Sequence, residues 1–203
     1  MPSCTTCGAY TKFENGLCID CYSKENPKKN SKGLSKEEKG YKEGIIKGRV
    51  AESLIEELFL SLNYGVFRYG MENTIPGIVG LLQNIDSDVA SNIRKMPDFV
   101  IQHPQTKEVY FIEVKFRASG EFDKSDGDFT KNGKSITDYP YKNAYFIVVS
   151  KKRIKCITYE ELKNGSKITP MSKNFLSKRM ELGLDRKTII TFCKFAVKFF
   201  KEV

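Results

Sequence analysis

The sequence predicts an α/β fold preceded by a small separate module. Three observations predict it. Helix-spaced apolar stretches, around Val50–Leu62 and Ile189–Phe200, bracket a series of short strand-like runs. Two of those runs, Phe99–Ile101 and Val109–Lys115, are joined by a polar turn that reads as a hairpin. Four cysteines crowd together between Cys4 and Cys21, ahead of any core-forming segment.

In chain order, the cysteines come first, as Cys-x2-Cys-x10-Cys-x2-Cys at Cys4, Cys7, Cys18 and Cys21. Two Cys-x-x-Cys knuckles fit four thiolates around a tetrahedral Zn²⁺; two disulfides and an iron–sulfur cluster are the alternatives. Gly8 and Gly16 supply the tight turns such knuckles need. So few apolar residues cannot fold alone, so the metal supplies the folding free energy, and four thiolates leave no open position for catalysis. Residues 1–23 are therefore expected to be a zinc ribbon or knuckle, serving nucleic-acid contact, partner docking or stabilisation. Residues 24–43, rich in lysine from Lys24 to Lys42, read as a flexible basic linker.

The main domain is expected over residues 44–203. Val50, Leu54, Ile55, Leu58, Phe59 and Leu62 form one helical stripe between Ile45 and Leu62, with Glu52 just outside it beside Phe59. Asn63 and Gly65 stop the helix, and Val66–Tyr69 reads as a first strand. Residues 71–96 read as an insertion with short helices over Ile78–Ile85 and Ser87–Arg94; Arg94 and Lys95 are candidate phosphate contacts.

Next comes the hairpin. It opens Pro97-Asp98, turns through His103–Glu108, and returns as Val109-Tyr110-Phe111-Ile112-Glu113-Val114-Lys115. Side chains on a strand alternate faces, so Tyr110, Ile112, Val114 and Phe116 face a core, whereas Phe111, Glu113, Lys115 and Arg117 share the other face. The hairpin brings Asp98 beside Glu113. Two carboxylates suit Mg²⁺, a hard ion that prefers oxygen. A neighbouring ammonium orients or deprotonates water, or stabilises charge developing on a phosphate.

After Arg117 a polar stretch to Lys134 carries Glu121, Asp123, Asp126 and Asp128 and reads as a mobile surface loop. Lys134 is a weak candidate substrate contact. Tyr145–Val149 is apolar throughout, as for a central strand, with Ile154–Ile157 as its neighbour and Cys156 as a small core residue. Thr158-x-x-Glu161 has capping-box spacing and opens a short helix ended by Asn164-Gly165. Residues 172–182 read as a basic helix. The last helix starts after Asp185, and its broad apolar stripe docks on the core or on a second subunit.

Glu52 on a helix edge, Pro97-Asp98 at a strand start and Glu113-Val114-Lys115 on one strand resemble the PD-(D/E)xK nuclease superfamily, with its restriction-endonuclease-like fold. The similarity is greatest to archaeal Holliday-junction resolvases, which also carry a first helix of the type Gly48-Arg49-Val50-Ala51-Glu52. It spans roughly residues 44 to 157. The resemblance implies a mixed sheet flanked by helices. It implies that Asp98, Glu113 and the Val114 backbone carbonyl bind Mg²⁺ or Mn²⁺, that Glu52 completes the metal site directly or through water, and that Lys115 assists the water. The long link between Glu52 and Asp98 departs from compact resolvases and leaves the substrate structure open.

Composition agrees with an anionic partner. The formal net charge of +9 favours nucleic acid through phosphate neutralisation. No apolar run is long enough for a membrane span and Met1–Cys4 lacks a signal-peptide core, so an intracellular, cytoplasmic protein with reduced cysteines is expected. The lone histidine, His103, lies in a turn, which argues against a histidine-based nucleophilic triad. The expected function is therefore Mg²⁺-dependent endonucleolytic hydrolysis of DNA, duplex or branched, with a homodimer implied by the family. The alternatives are a non-catalytic nucleic-acid-binding protein on the same fold and a zinc-module docking adaptor.

Overall fold

The computed structural model describes residues 3–11, 16–25, 34–70, 87, 92–93, 95–126 and 139–201. Apart from Ser87 and residues 92–93, the two short helices expected in the insertion lie outside these residues, as do Arg94, Asp128 and Lys134. The chain divides into two compact units, residues 1–43 and 44–203.

In the first unit the backbone folds back on itself through an isolated antiparallel bridge between Ser3 and Tyr10. Gly8, at φ 74°, makes the turn, and its N–H donates to the Cys4 carbonyl at 2.9 Å. The second cysteine pair is not a second knuckle. Cys18 immediately precedes α1 (Ile19–Glu25) and Cys21 lies in its first turn. A Cys-x2-Cys spacing fits a helical turn as well as a knuckle, and here the helix wins.

The described ends of the expected tether are helical. α1 runs to Glu25, and α2 (Lys36–Ser61) begins nine residues before the apolar stripe at Ile45. The cause is a capping box that composition hides. The Glu38 N–H donates to Ser35 Oγ at 3.1 Å, and the Ser35 N–H donates to Glu38 Oε2 at 2.8 Å.

In the second unit, α2 is followed by a five-stranded mixed sheet in chain order: β1 (Gly65–Arg68), β2 (Phe99–Gln102), β3 (Val109–Phe116), β4 (Ala144–Val149) and β5 (Ile154–Thr158). β1, β2 and β3 pair antiparallel; β3 and β4 pair parallel; β4 and β5 pair antiparallel. Asn63, at φ 60°, takes the left-handed turn that ends α2.

The register sorts side chains onto two faces. One face carries Phe99, Ile101, Ile112, Val114, Ile147, Val149 and Cys156. It packs against Leu54, Ile55, Leu58 and Phe59 of α2 and against Ile189, Phe192, Ala196 and Phe200 of a C-terminal helix, α4 (Arg186–Phe200). The other face carries Phe146, Val148 and Ile157, covered by Phe122, Tyr139, Tyr159, Leu162 and Ile168. β4 is thus buried on both sides, which is why it reads as an unbroken apolar run. α4 docks on the core through its buried stripe, while Ile190, Phe195 and Phe199 stay exposed on its flank.

Two expectations change here. The acidic stretch after Arg117 is tied down over its described part. Phe122 is buried and bridges Ile168, and Asp126 Oδ2 accepts from Arg117 Nε at 2.8 Å. Residues 172–182 form two 3₁₀ turns, Leu176–Lys178 and Met180–Leu182, rather than a helix. Arg179 interrupts them at ψ 86° because its guanidinium is drawn inward, onto the Glu161 carboxylate and the Cys156 carbonyl. Glu161 in turn closes the capping box of α3 (Tyr159–Lys163) with Thr158.

Lys155 is buried on β5 and donates to the carbonyls of Thr169, Pro170 and Ser172, so its ammonium is saturated by backbone. The outer edge of β5 meets residues 174 and 175: the Cys156 N–H donates to the Asn174 carbonyl at 2.8 Å, and Lys155 bridges Phe175.

Candidate active site

The β2–β3 hairpin places the acids. The pairing of Phe99 with Ile112 puts Asp98, one residue before β2, in register with Glu113. Asp98 is fixed on three sides. Its carboxylate Oδ2 accepts from the Val114 N–H at 2.6 Å, and its own carbonyl accepts from the N–H groups of Tyr69 at 2.9 Å and Gly70 at 3.4 Å. Lys115 Nζ lies 2.6 Å from Glu113 Oε1, with both side chains largely buried. Asp98, Glu113 and Lys115 therefore come together.

Pro97 has a part in this geometry. The His103 N–H donates to the Glu108 carbonyl, so 103 and 108 are a hydrogen-bonded pair of the antiparallel ladder. Such pairs recur every second residue, which makes 97 and 114 the next one past Phe99 and Ile112. Val114 thus directs both its N–H and its C=O towards residue 97. A proline has no N–H to give the carbonyl. The N–H is taken by the Asp98 side chain instead. The Val114 carbonyl is left without a ladder donor from β2, on the side where the two carboxylates stand.

Glu52 arrives from α2 and is half-buried. Its pKa is raised above the ordinary 4.5, chiefly by burial; Arg68 opposes this, Glu113 adds to it, and Lys115 and Arg49 oppose it. Glu52 is thus close enough to Glu113 and Lys115 for their charges to act on one another. It is not drawn with Asp98 and Glu113 into one tight group: among the described residues, only the cysteines form a cluster of three or more potential ligands. The sequence reading did not single out Arg68. At the end of β1, it forks onto Glu56, with Nε 3.0 Å from Oε1, and extends its charge to Glu52 and Asp98. Its place at the end of the first strand was the available signal.

The raised pKa has a thermodynamic consequence. A carboxyl whose folded pKa lies above its unfolded value stabilises the fold below the unfolded pKa. That contribution is lost as pH rises through the folded value. Wherever Glu52 is ionised it is therefore a cost to the fold. Glu52→Gln is expected to raise Tm in EDTA at pH 7 by a few degrees, and the gain should shrink towards pH 4, measured by calorimetry. An unchanged or lowered Tm at pH 7 would mean that Glu52 is not strained by its surroundings.

The second constellation is the cysteine cluster. The Sγ atoms of Cys4, Cys7, Cys18 and Cys21 all lie within 4.8 Å of one another, and the Cys7 and Cys18 Sγ atoms are 3.5 Å apart. None is in a disulfide. Backbone N–H groups, first that of Cys18, then those of Cys7 and Thr6, bring Cys4 down to about 6 against its burial. The thiols of Cys7 and Cys18 push Cys21 up to about 12. Hydrogen bonds within the cluster thus favour the thiolate at Cys4 and the thiol at Cys21. Four soft ligands at tetrahedral spacing fit a structural zinc module.

His103 is structural. It is buried, its Nδ1 accepts from the N–H groups of Gln105 and Thr106, and its ring stands edge-on to Tyr64 at 5.2 Å. Among the described residues no helix is long and apolar enough to cross a membrane. No protein-family model matches the chain, and no curated protein matches it significantly.

Proposed function

We propose that this protein is a metal-dependent endonuclease that hydrolyses phosphodiester bonds in DNA, and that its cysteine module holds a structural Zn²⁺. One observation carries the nuclease reading: Asp98 and Glu113 stand opposite each other in the hairpin, with the Lys115 ammonium 2.6 Å from Glu113. The donor set is all oxygen, two carboxylates and the Val114 carbonyl, which suits Mg²⁺ or Mn²⁺. When bound, such a cation lowers the pKa of water and offsets charge on the phosphate.

The chain's own groups do the rest. Asp98 and Glu113 would hold the cation, and Asp98 is kept in orientation by the Val114 N–H. Lys115, paired with Glu113 until substrate arrives, orients the attacking water and stabilises the charge gained by the phosphate oxygens. Glu52, whose charge acts on Glu113 and Lys115, would support the bound metal. The resemblance to PD-(D/E)xK nucleases rests on these same four residues, and the net charge of +9 favours a polyanion.

The test is incubation of the full chain with linear duplex, single-stranded, flap, fork and four-way DNAs in Mg²⁺, Mn²⁺ or EDTA. Nicking is expected with either cation and none in EDTA. Salt-sensitive binding without cleavage of any DNA would replace the nuclease by a non-catalytic nucleic-acid-binding protein.

A further inference from the structure

We propose that Phe67, Tyr69, Phe111 and Tyr141 form a stacking platform for an unpaired nucleobase beside the carboxylate pair. This rests on the nuclease reading above and assigns it a substrate class: DNA with single-stranded character at the cleavage point.

The placement follows from the register. Phe67 pairs with Val100, and Val100 with Phe111, so the two rings share one cross-strand row and one face. Two residues along on that face lies the row of the acids. The Tyr69 N–H donates to the Asp98 carbonyl, and Asp98 stands opposite Glu113. The rows are therefore roughly 7 Å apart. Phe111, Glu113 and Lys115 leave β3 on the same side.

Three of the rings are gathered, and Phe67 continues the row of Phe111 on β1, beyond β2. Phe111 and Tyr141 centroids are 5.0 Å apart, Tyr69 and Phe111 6.0 Å, and Tyr69 and Tyr141 6.2 Å. Tyr69, Phe111 and Tyr141 are half-buried, while Phe67 is 60% exposed. Phe111 and Tyr141 pack against the rim of the core formed by Phe122, Tyr139 and Phe146 and keep part of their surface outside it. Aromatic surface left partly in water next to two carboxylates and an ammonium has the chemistry of a nucleotide site: a phosphate on the polar groups, a base on the rings. Every base offers a π-face, so stacking is indifferent to sequence. Bases in a continuous duplex are already stacked on one another, so the platform favours strands whose bases are free.

The experiment uses the full chain, Mg²⁺, and three DNAs of one sequence: continuous duplex, single strand, and duplex with a single-stranded flap. 2-Aminopurine placed at the junction reports stacking through quenching. The unmodified protein should cleave the flap and single strand at least tenfold faster than duplex, in kcat/KM, and quench the probe. Phe67→Leu and Tyr141→Leu should each lower flap kcat/KM and affinity by about tenfold and lose quenching, at unchanged Tm for the exposed Phe67 and with a lowered Tm for the packed Tyr141. Tyr141→Phe, which keeps the ring, should retain all three. Equal rates on duplex and flap, or leucine variants that still quench and cut as before, would overturn the platform. Loss of the nuclease reading looks different: no DNA is cut, and probe binding alone then decides the platform.

Discussion

Asp98→Asn is expected to lower Mg²⁺-dependent cleavage by about 10³-fold, roughly 4 kcal/mol of transition-state stabilisation, while leaving the fold intact. The separation of effects comes from geometry. Asparagine keeps a side-chain oxygen that accepts from the Val114 N–H, so the hairpin retains the bond that now orients Asp98. What it loses is the negative charge that a hard cation requires. Lys115→Ala should be similarly damaging, because it removes the ammonium beside Glu113 without altering β-pairing. Single-turnover cleavage on a substrate the unmodified protein cuts, with calorimetry and zinc content as controls, checks both. Wild-type rates in both variants would end the case for hydrolysis at this site.

The second large effect is on the cysteine module. Cys18→Ser should reduce bound zinc from about one equivalent to near none by mass spectrometry of the metal. Residues 3–25 should then become open to protease. Among the described residues the apolar cluster there consists of Cys4, Cys18 and Cys21 with Leu17 packed against them, too little apolar surface to replace the ion. The two large cores lie wholly within residues 44–203, so that unit should keep its cooperative melting. Zinc binding should also weaken steeply as pH falls, since the proton that Cys21 retains must be displaced. Undiminished zinc in Cys18→Ser, or affinity insensitive to pH, would exclude four-thiolate ligation.

Much of this was legible in the sequence where local chemistry dictates structure. The hairpin announced itself by alternation from Phe99 and Val109 on either side of a polar turn, and the adjacency of Asp98 and Glu113 followed from that register. Thr158-x-x-Glu161 and Asn164-Gly165 marked both ends of α3. Four features were not legible, each for a physical reason. The first turns of α2 have no apolar stripe, and only Ser35-x-x-Glu38 signals them. The Cys18–Cys21 spacing suits a knuckle and a helix equally. Residues 172–182 have the composition of a basic surface helix, but Arg179 points inward to Glu161 and Cys156, a tertiary pull that composition cannot show. The role of Pro97 became visible only through pair parity: its missing donor matters because Val114 sits opposite.

The strap formed by Asn174 and Phe175 along β5 bears on how this protein behaves when concentrated. A bare outer strand is a template onto which another chain can zip, the usual start of edge-to-edge aggregation. At β5 that template is occupied from within, by the Cys156–Asn174 hydrogen bond and the Lys155–Phe175 bridge. At the other margin β1 is only four residues long and ends in Arg68, a short charged rim that gives an incoming strand little to hold.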